Sequence, residues 1–355
     1  MNRELVTGLS GLLALASFAT ALSAGAQEKA AVREEFPTRE IPNIGPAGEA
    51  YYAPDSIHLI TGIKDPDAKR HKDGAYGGLE HIFTDTGENI RRINDHGQDA
   101  CSFFFPDGKR VAWTSTRDNL DLPVADWSDP NDYPTGAEIY VSDLDGGNIK
   151  RLTNNKWYEA EVSVSPDGKW VVFGRQVDGK DDLVRIRPDG TDEFVITRSE
   201  ELQEGAPFYM PDAETIMFRA WMESDQKGPG GRPSSIQVYT IKHDGTNLKM
   251  HTHDNGVNWH PFPAPDGRHY VFTKFLFDEK DWEVYLGDLE GGLPRRLTNR
   301  KGFDGLAEFS PDGNKVVFGR GQPGVAGTRL YVMDVSSLGL GKNNKWSFMR
   351  KKSGT

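Results

Sequence analysis

Cysteine is almost absent, with Cys101 alone in 355 residues. That excludes a disulfide framework, a Cys-based zinc site and a thioredoxin-type redox motif. Positive charge is also in deficit: 42 Lys and Arg stand against 53 Asp and Glu, for a net charge of −11. A nucleic-acid binder needs a basic footprint, so that class is set aside, while a cationic partner is not. Hydrophobic residues reach only 36%, and past the N-terminal segment no apolar run is long enough to span a bilayer. The same stretch contains no Gly-x-Ser-x-Gly elbow, no phosphate-binding Gly-x-x-x-x-Gly-Lys-Ser/Thr loop and no His-Glu-x-x-His. What is abundant is 39 Gly and 21 Pro, which points to many short elements and away from a helical bundle. Aromatics at 10% exceed what a disordered chain carries.

Residues 1–26 form a segment apart. Arg3 precedes a Leu- and Ala-rich run over 5–22, followed by Ala24-Gly25-Ala26. A basic start, an apolar stretch and small residues at −3 and −1 describe a secretory signal cut before Gln27. The expected product is soluble, periplasmic or secreted, and not membrane-spanning after cleavage.

The remainder repeats itself. Pro-Asp-Gly stands at Pro106, Pro166, Pro265 and Pro311, with degenerate copies at Pro54-Asp55-Ser56 and Pro211-Asp212-Ala213. Each copy is flanked by short β-rich runs, as in Val162-Ser163-Val164 before Pro166 and Trp170-Val171-Val172-Phe173 after it. Pro fixes φ and Gly supplies a positive φ, so the triplet closes a tight hairpin. A third strand and an Asp-Gly turn follow, then a fourth strand ending in Arg151-Leu152-Thr153 in one unit and Arg296-Leu297-Thr298 in another. Four short antiparallel strands per unit of about 45–60 residues describe a propeller blade, and six units a six-bladed all-β propeller. The division expected is a segment 27–44 that lends a ring-closing strand, a propeller over 45–341, and a basic tail over 342–355.

Glu159-Ala160-Glu161-Val162-Ser163-Val164-Ser165-Pro166-Asp167-Gly168 resembles the repeat signature of TolB-type propellers, and Asn258-Trp259-His260-Pro261 before Pro265 is a looser match. The resemblance covers roughly residues 45–335. It implies a six-bladed fold and an envelope- or transport-associated role. It does not specify chemistry, because the repeat also occurs in peptidase propellers and polysaccharide lyases. A separate α/β domain like the one that precedes the propeller in TolB is not expected, because only about twenty residues lie between Gln27 and the first repeat.

Candidate site residues come from aligning the repeats on Pro. Seven residues upstream stand Ala47, Asp99, Glu159, Glu204, Asn258 and Asp304; five upstream stand Glu49, Cys101, Glu161, Ala206, His260 and Leu306. Both sets fall where the innermost strand begins, at the channel mouth. Side chains two apart on a strand share a face, so Glu159 and Glu161 are expected to aim oxygen at one ion or cationic group. Oxygen-only ligation suits calcium, and an added His admits manganese or zinc. His253 and His260 are the candidate metal ligands, from a His251-Thr252-His253 pattern read as a strand. Long loops over 64–79, 117–137 and 221–235 bring Trp127, Tyr133, Trp221 and Arg232 to the same face. The turn aspartates Asp107, Asp167, Asp266 and Asp312 are read as turn-formers, and Cys101 as a packing residue. The partner expected is an envelope protein, a peptide or a glycan. The alternative is a polysaccharide lyase or hydrolase, metal-dependent or not, on the same face.

Overall fold

The computed structural model describes residues 36–67, 69, 77–125, 127, 133–225, 233, 235–321 and 327–342. Residues 1–35, Arg232 and the tail beyond Lys342 lie outside the described residues. Four-stranded antiparallel sheets recur six times along them. In the third, Tyr158–Val164, Val171–Val177, Lys180–Ile186 and Phe194–Val195 pair in chain order. The last sheet is built differently. Phe303–Phe309, Lys315–Gly321 and Thr328–Asp334 supply three strands, and Thr38–Glu40 from the start of the chain adds the fourth, pairing Thr38 with Met333 and Glu40 with Tyr331.

The blades stand radially, and their hydrophobic contacts show it. Each successive pair shares one cluster of buried side chains. Ile60 meets Trp113 between blades one and two, and Phe105 meets Phe173 between two and three. Val172 packs with Phe218, and Met217 with Phe272, across the next two seams. Val271 joins Phe318, and Val317 joins Leu59, so the sixth cluster returns to the first blade. Alternate residues of a strand point to opposite sheet faces, which lets one short apolar run serve two seams. Val171 faces one neighbour and Val172 the other. Burying each such side chain contributes roughly 1.5–3 kcal/mol.

The Pro-Asp-Gly turns behave as hairpin closures. Gly108, Gly168, Gly267 and Gly313 adopt φ between 64° and 75°, and Ser56 and Ala213 reach 59° at the degenerate copies. In each turn the Asp carboxylate accepts backbone amides two or three residues on, as Asp107 does from Lys109 at 2.8 Å. Partial burial works against ionisation there, but these amide bonds and the Arg110 contact hold Asp107 below the usual carboxylate range.

The closing strand is the seam that no hairpin ties. Just after it, Ile41 is 3% exposed and sits in the cluster with Val317, Leu330 and Val332. Ile41→Ala should cost roughly 2–4 kcal/mol of stability, read from the urea midpoint. A change below about 0.5 kcal/mol would mean that the ring closes without this segment.

Candidate functional site

The innermost strand of five blades carries a bulge. Register shifts fall between Ala100 and Phe103, Ala160 and Ser163, Gly205 and Phe208, Trp259 and Phe262, and Gly305 and Glu308. At each, the residue five before Pro takes a left-handed backbone: Cys101, Glu161, Ala206, His260 and Leu306 have φ between 48° and 57°. Such a φ is uncommon for residues other than Gly, and a bulge re-aims the side chain beside it. Here it turns that residue toward the axis. Glu49, Cys101, Glu161, His260 and Leu306 all line a cavity of about 1150 Å³ at the channel mouth.

The residue seven before Pro lies on the regular side of the bulge and pairs with its own hairpin. Glu159 stands opposite Arg175 and binds its Nε at 2.5 Å; Asp304 holds Arg320 through two contacts of 2.7 Å. Asn258 accepts from Lys274 at 3.0 Å and donates to Asp254 at 2.7 Å. Glu204 is buried near Asp181 and Asp182, and burial first, then those charges, pushes its carboxyl up to about 9. The expectation that Glu159, Glu204, Asn258 and Asp304 face the mouth is therefore corrected: none of the four lines the cavity. Asp99 does line it, while accepting from Asn94 at 2.9 Å and from the Glu80 amide at 3.2 Å. Glu159 and Glu161 do not share a target, because the bulge between them breaks the alternation that a flat strand imposes.

A third register, three residues before Pro, floors the mouth. Tyr51, Phe103, Phe208 and Phe262 come from four blades and meet with ring centroids 4.9–6.4 Å apart. The other two members are Ser163, bonded to the Pro207 carbonyl at 2.7 Å, and Glu308. Glu308 is wholly buried, and its Oε1 lies 3.2 Å from His260 Nε2. On the opposite side of the imidazole, Nδ1 lies 3.6 Å from Glu49 Oε1, and the Tyr51 hydroxyl donates to Glu49. The alignment on −7 and −5 missed Glu308. Its signal was available: it is the only acid in a register that is otherwise aromatic or Ser.

The second metal-ligand candidate, His253, does not join this group. Residues 251–253 follow the strand Lys249–Met250 and are outside it, so the two imidazoles do not alternate as on a strand; His253 is exposed, and the Nε2 of His251 pairs with the Thr240 hydroxyl at 2.8 Å.

Electrostatics at the mouth are governed by burial. It pushes Glu49 up to about 7, with Glu161 adding to the effect, although a quarter of the Glu49 side chain is exposed. It pushes Glu80 up to about 8, assisted by Asp99 and Glu49, and Asp99 up to about 7. Burial and the Arg219 charge hold His260 down to about 3, so its imidazole is neutral at pH 7. Glu161 binds Arg219 at 2.7 Å and accepts the Ala206 amide at 2.7 Å.

Aromatic side chains form the wall above. Tyr133 stacks on Tyr158 at 4.2 Å with Trp127 at 5.9 Å from the same ring, and Trp259 meets Trp282 at 5.9 Å. The Arg219 guanidinium lies about 6 Å from both the Trp221 and Trp259 rings. Trp127, Tyr133 and Trp221 thus line the cavity with Trp259, Phe275 and Trp282.

No protein-family model matches the chain. An uncharacterized protein of Agrobacterium fabrum is 27% identical over 248 residues, covering 66% of this chain and 72% of that protein. A TolB homolog of Chlorobium chlorochromatii is 26% identical over 181 residues, 51% of this chain; the chain spans only 28% of that protein's length. Among solved structures, TolB of Acinetobacter baumannii superposes with a TM-score of 0.56 at 18% identity, covering 82% of this chain and 64% of that one. A manganese-bound oligogalacturonate lyase superposes with a TM-score of 0.52 at 15% identity, covering 84% and 96%. The chain has the fold of a TolB-like six-bladed β-propeller.

Glu80 offers a test of these electrostatics. Its Oε2 accepts from Ser102 at 2.6 Å, and its Oε1 has no partner. A carboxyl raised in the folded state stays protonated while the unfolded chain ionises. Stability is therefore lost as pH rises from about 4.5 toward 8 and levels off above that. Glu80→Gln removes this loss. In chelator-treated protein, the stability gained by the variant should grow from near zero below about pH 4 to roughly 2 kcal/mol or more at pH 8.5, read by urea denaturation. A gain independent of pH would show that Glu80 is ionised normally in the fold.

Proposed function

We propose that this chain is an exported, envelope-associated binding propeller, and that its mouth captures an extended peptide segment of a partner protein carrying basic and apolar side chains. The observation that carries the reading is the mouth itself: a deep cavity with an aromatic wall and an acidic interior. Concave, largely apolar sites with a few convergent polar groups are where ligands bind. Tyr133, Trp221, Trp259 and Trp282 offer rigid surface to apolar or cationic side chains. Glu49, Glu80, Asp99 and Glu161 face Lys64 and Arg219 among the described lining residues. A basic side chain entering that field gains Coulomb energy and allows the raised carboxyls to ionise. The N-terminal segment with its Ala24-Gly25-Ala26 end supports export, and no described helix is long and apolar enough to cross a membrane.

A second reading is a lyase or hydrolase acting on a polysaccharide. It is favoured by the convergence of His260, Tyr51 and Arg219 at one opening. Against it, Arg219 is engaged by Glu161, both imidazole nitrogens face carboxyl groups, and an acid-rich interior repels uronate substrates.

Selection from a phage-displayed peptide library should enrich Lys- or Arg-containing sequences with aromatic or aliphatic neighbours. Trp259→Ala and Glu161→Gln should each weaken the selected peptide at least tenfold in fluorescence titrations. Equal binding by both variants removes the mouth from the account. Formation of an unsaturated uronate from oligogalacturonate would establish the lyase reading instead.

A further inference from the structure

We propose that Glu49, His260 and Glu308 form a binding site for one divalent transition-metal ion, zinc or manganese, at the base of the channel mouth. One donor atom from each residue lies within 4.8 Å of the other two. Donors around a tetrahedral zinc stand about 3.4 Å apart, so small side-chain rotations complete the set. This site shares Glu49 with the acidic field proposed for peptide capture but stands whether or not a peptide enters the mouth.

Three features of the cluster point to an ion. Glu308 is wholly buried in a register of aromatic rings and Ser163, and the nearby Tyr51 hydroxyl donates its one proton to Glu49, which leaves Glu308 Oε2 without a well-formed hydrogen bond. A buried oxygen of that kind costs about 1–3 kcal/mol unless something binds it. The imidazole is flanked by carboxyl groups at both nitrogens, yet a neutral ring donates only one hydrogen bond. The ring can ligate one ion through one nitrogen only, so Nε2 and Glu308 Oε1, 3.2 Å apart, make the near pair, and the partly exposed Glu49 side chain swings toward them. Finally, Arg219, the cation nearest the cluster's charge, is held by Glu161. The left-handed backbone at His260, φ 49°, keeps the imidazole aimed at this point.

The donor set decides the metal. Calcium takes six to eight oxygen ligands in a roomy shell, which one imidazole and two carboxylates do not supply. Imidazole with carboxylate suits zinc and manganese, with zinc the tighter of the two by the usual order of affinities. The Tyr51 hydroxyl, bonded to Glu49, orients that carboxylate as an outer partner commonly does for a metal ligand. Glu49 and His260 line the mouth cavity, which gives the ion its route in.

The test uses chelator-treated full-length protein. Titration with Mn²⁺, followed by loss of the free-ion signal in electron paramagnetic resonance, should give one site per chain. Zn²⁺ should displace the manganese, and Ca²⁺ should bind at least a hundredfold more weakly. Glu308→Gln and His260→Asn should each weaken Mn²⁺ at least tenfold; Asn tolerates the left-handed backbone that His260 occupies. Glu49→Gln, at a partly exposed position, provides the same reading if a buried variant fails to fold. The absence of stoichiometric Mn²⁺ and Zn²⁺ binding by the unmodified protein would show that protons alone hold the cluster. Binding unchanged in the folded variants, or calcium binding as tight as manganese, would equally overturn the proposal.

Discussion

A backbone bulge with a left-handed residue, repeated at the start of the innermost strands, is the constraint on which the site depends. It inserts one residue into the strand and breaks the alternation of faces at that point. The carboxylate before the bulge stays in the sheet, where Glu159 and Asp304 neutralise Arg175 and Arg320. The residue at the bulge turns to the axis, where Glu161 and His260 face the cavity. Five strained residues of this kind, none of them Gly, cost on the order of 1–3 kcal/mol each unless the surrounding structure over-determines them. The inter-blade clusters do so: every blade is wedged between two neighbours, and relaxing one bulge would disturb two apolar seams.

The same radial wedging creates the mouth. Large side chains three residues before Pro meet on the axis because six strands converge there, and four aromatic rings fill the gap. Above them the space widens, and the loops contribute Trp and Tyr rather than more sheet. A deep opening with a dense floor and little solvent raises the carboxyls inside it, since burial disfavours charge wherever no cation stands close by. Arg219 serves Glu161 and leaves Glu49, Glu80 and Asp99 to share the field. The peptide and metal-ion binding proposed for the mouth both rest on this imbalance of charge in a confined volume.

Much of the fold was legible in the residues because its signals are local. Pro-Asp-Gly closes a hairpin through its own φ angles and through amides two and three residues on, with no help from distant segments. The recurrence of such turns between the first two strands of a unit set the count of blades, while a further copy, Pro188-Asp189-Gly190, closes strands three and four of the third blade. The site was legible only in part. The aromatic residues Trp127, Tyr133 and Trp221 were identifiable from the long loops that carry them, and the axial residues Glu49, Glu161 and His260 by register. Assigning Glu159, Glu204, Asn258 and Asp304 to the mouth followed from treating the innermost strand as flat, and nothing in the residues beside them announces the bulge. His253 was misjudged because a His-x-His pattern carries no information on whether its backbone is extended.

The sequence alone determined that short strands repeat six times around turns of fixed chemistry, since each turn is a property of three or four consecutive residues. Only the tertiary structure decided which acids are structural and which face the axis. That division depends on a cross-strand partner sixteen residues away, and on the meeting of Glu49, His260 and Glu308 from the first, fifth and sixth blades. Contacts between residues so far apart along the chain exist only once the ring has closed, when the last blade takes its outer strand from the chain's beginning.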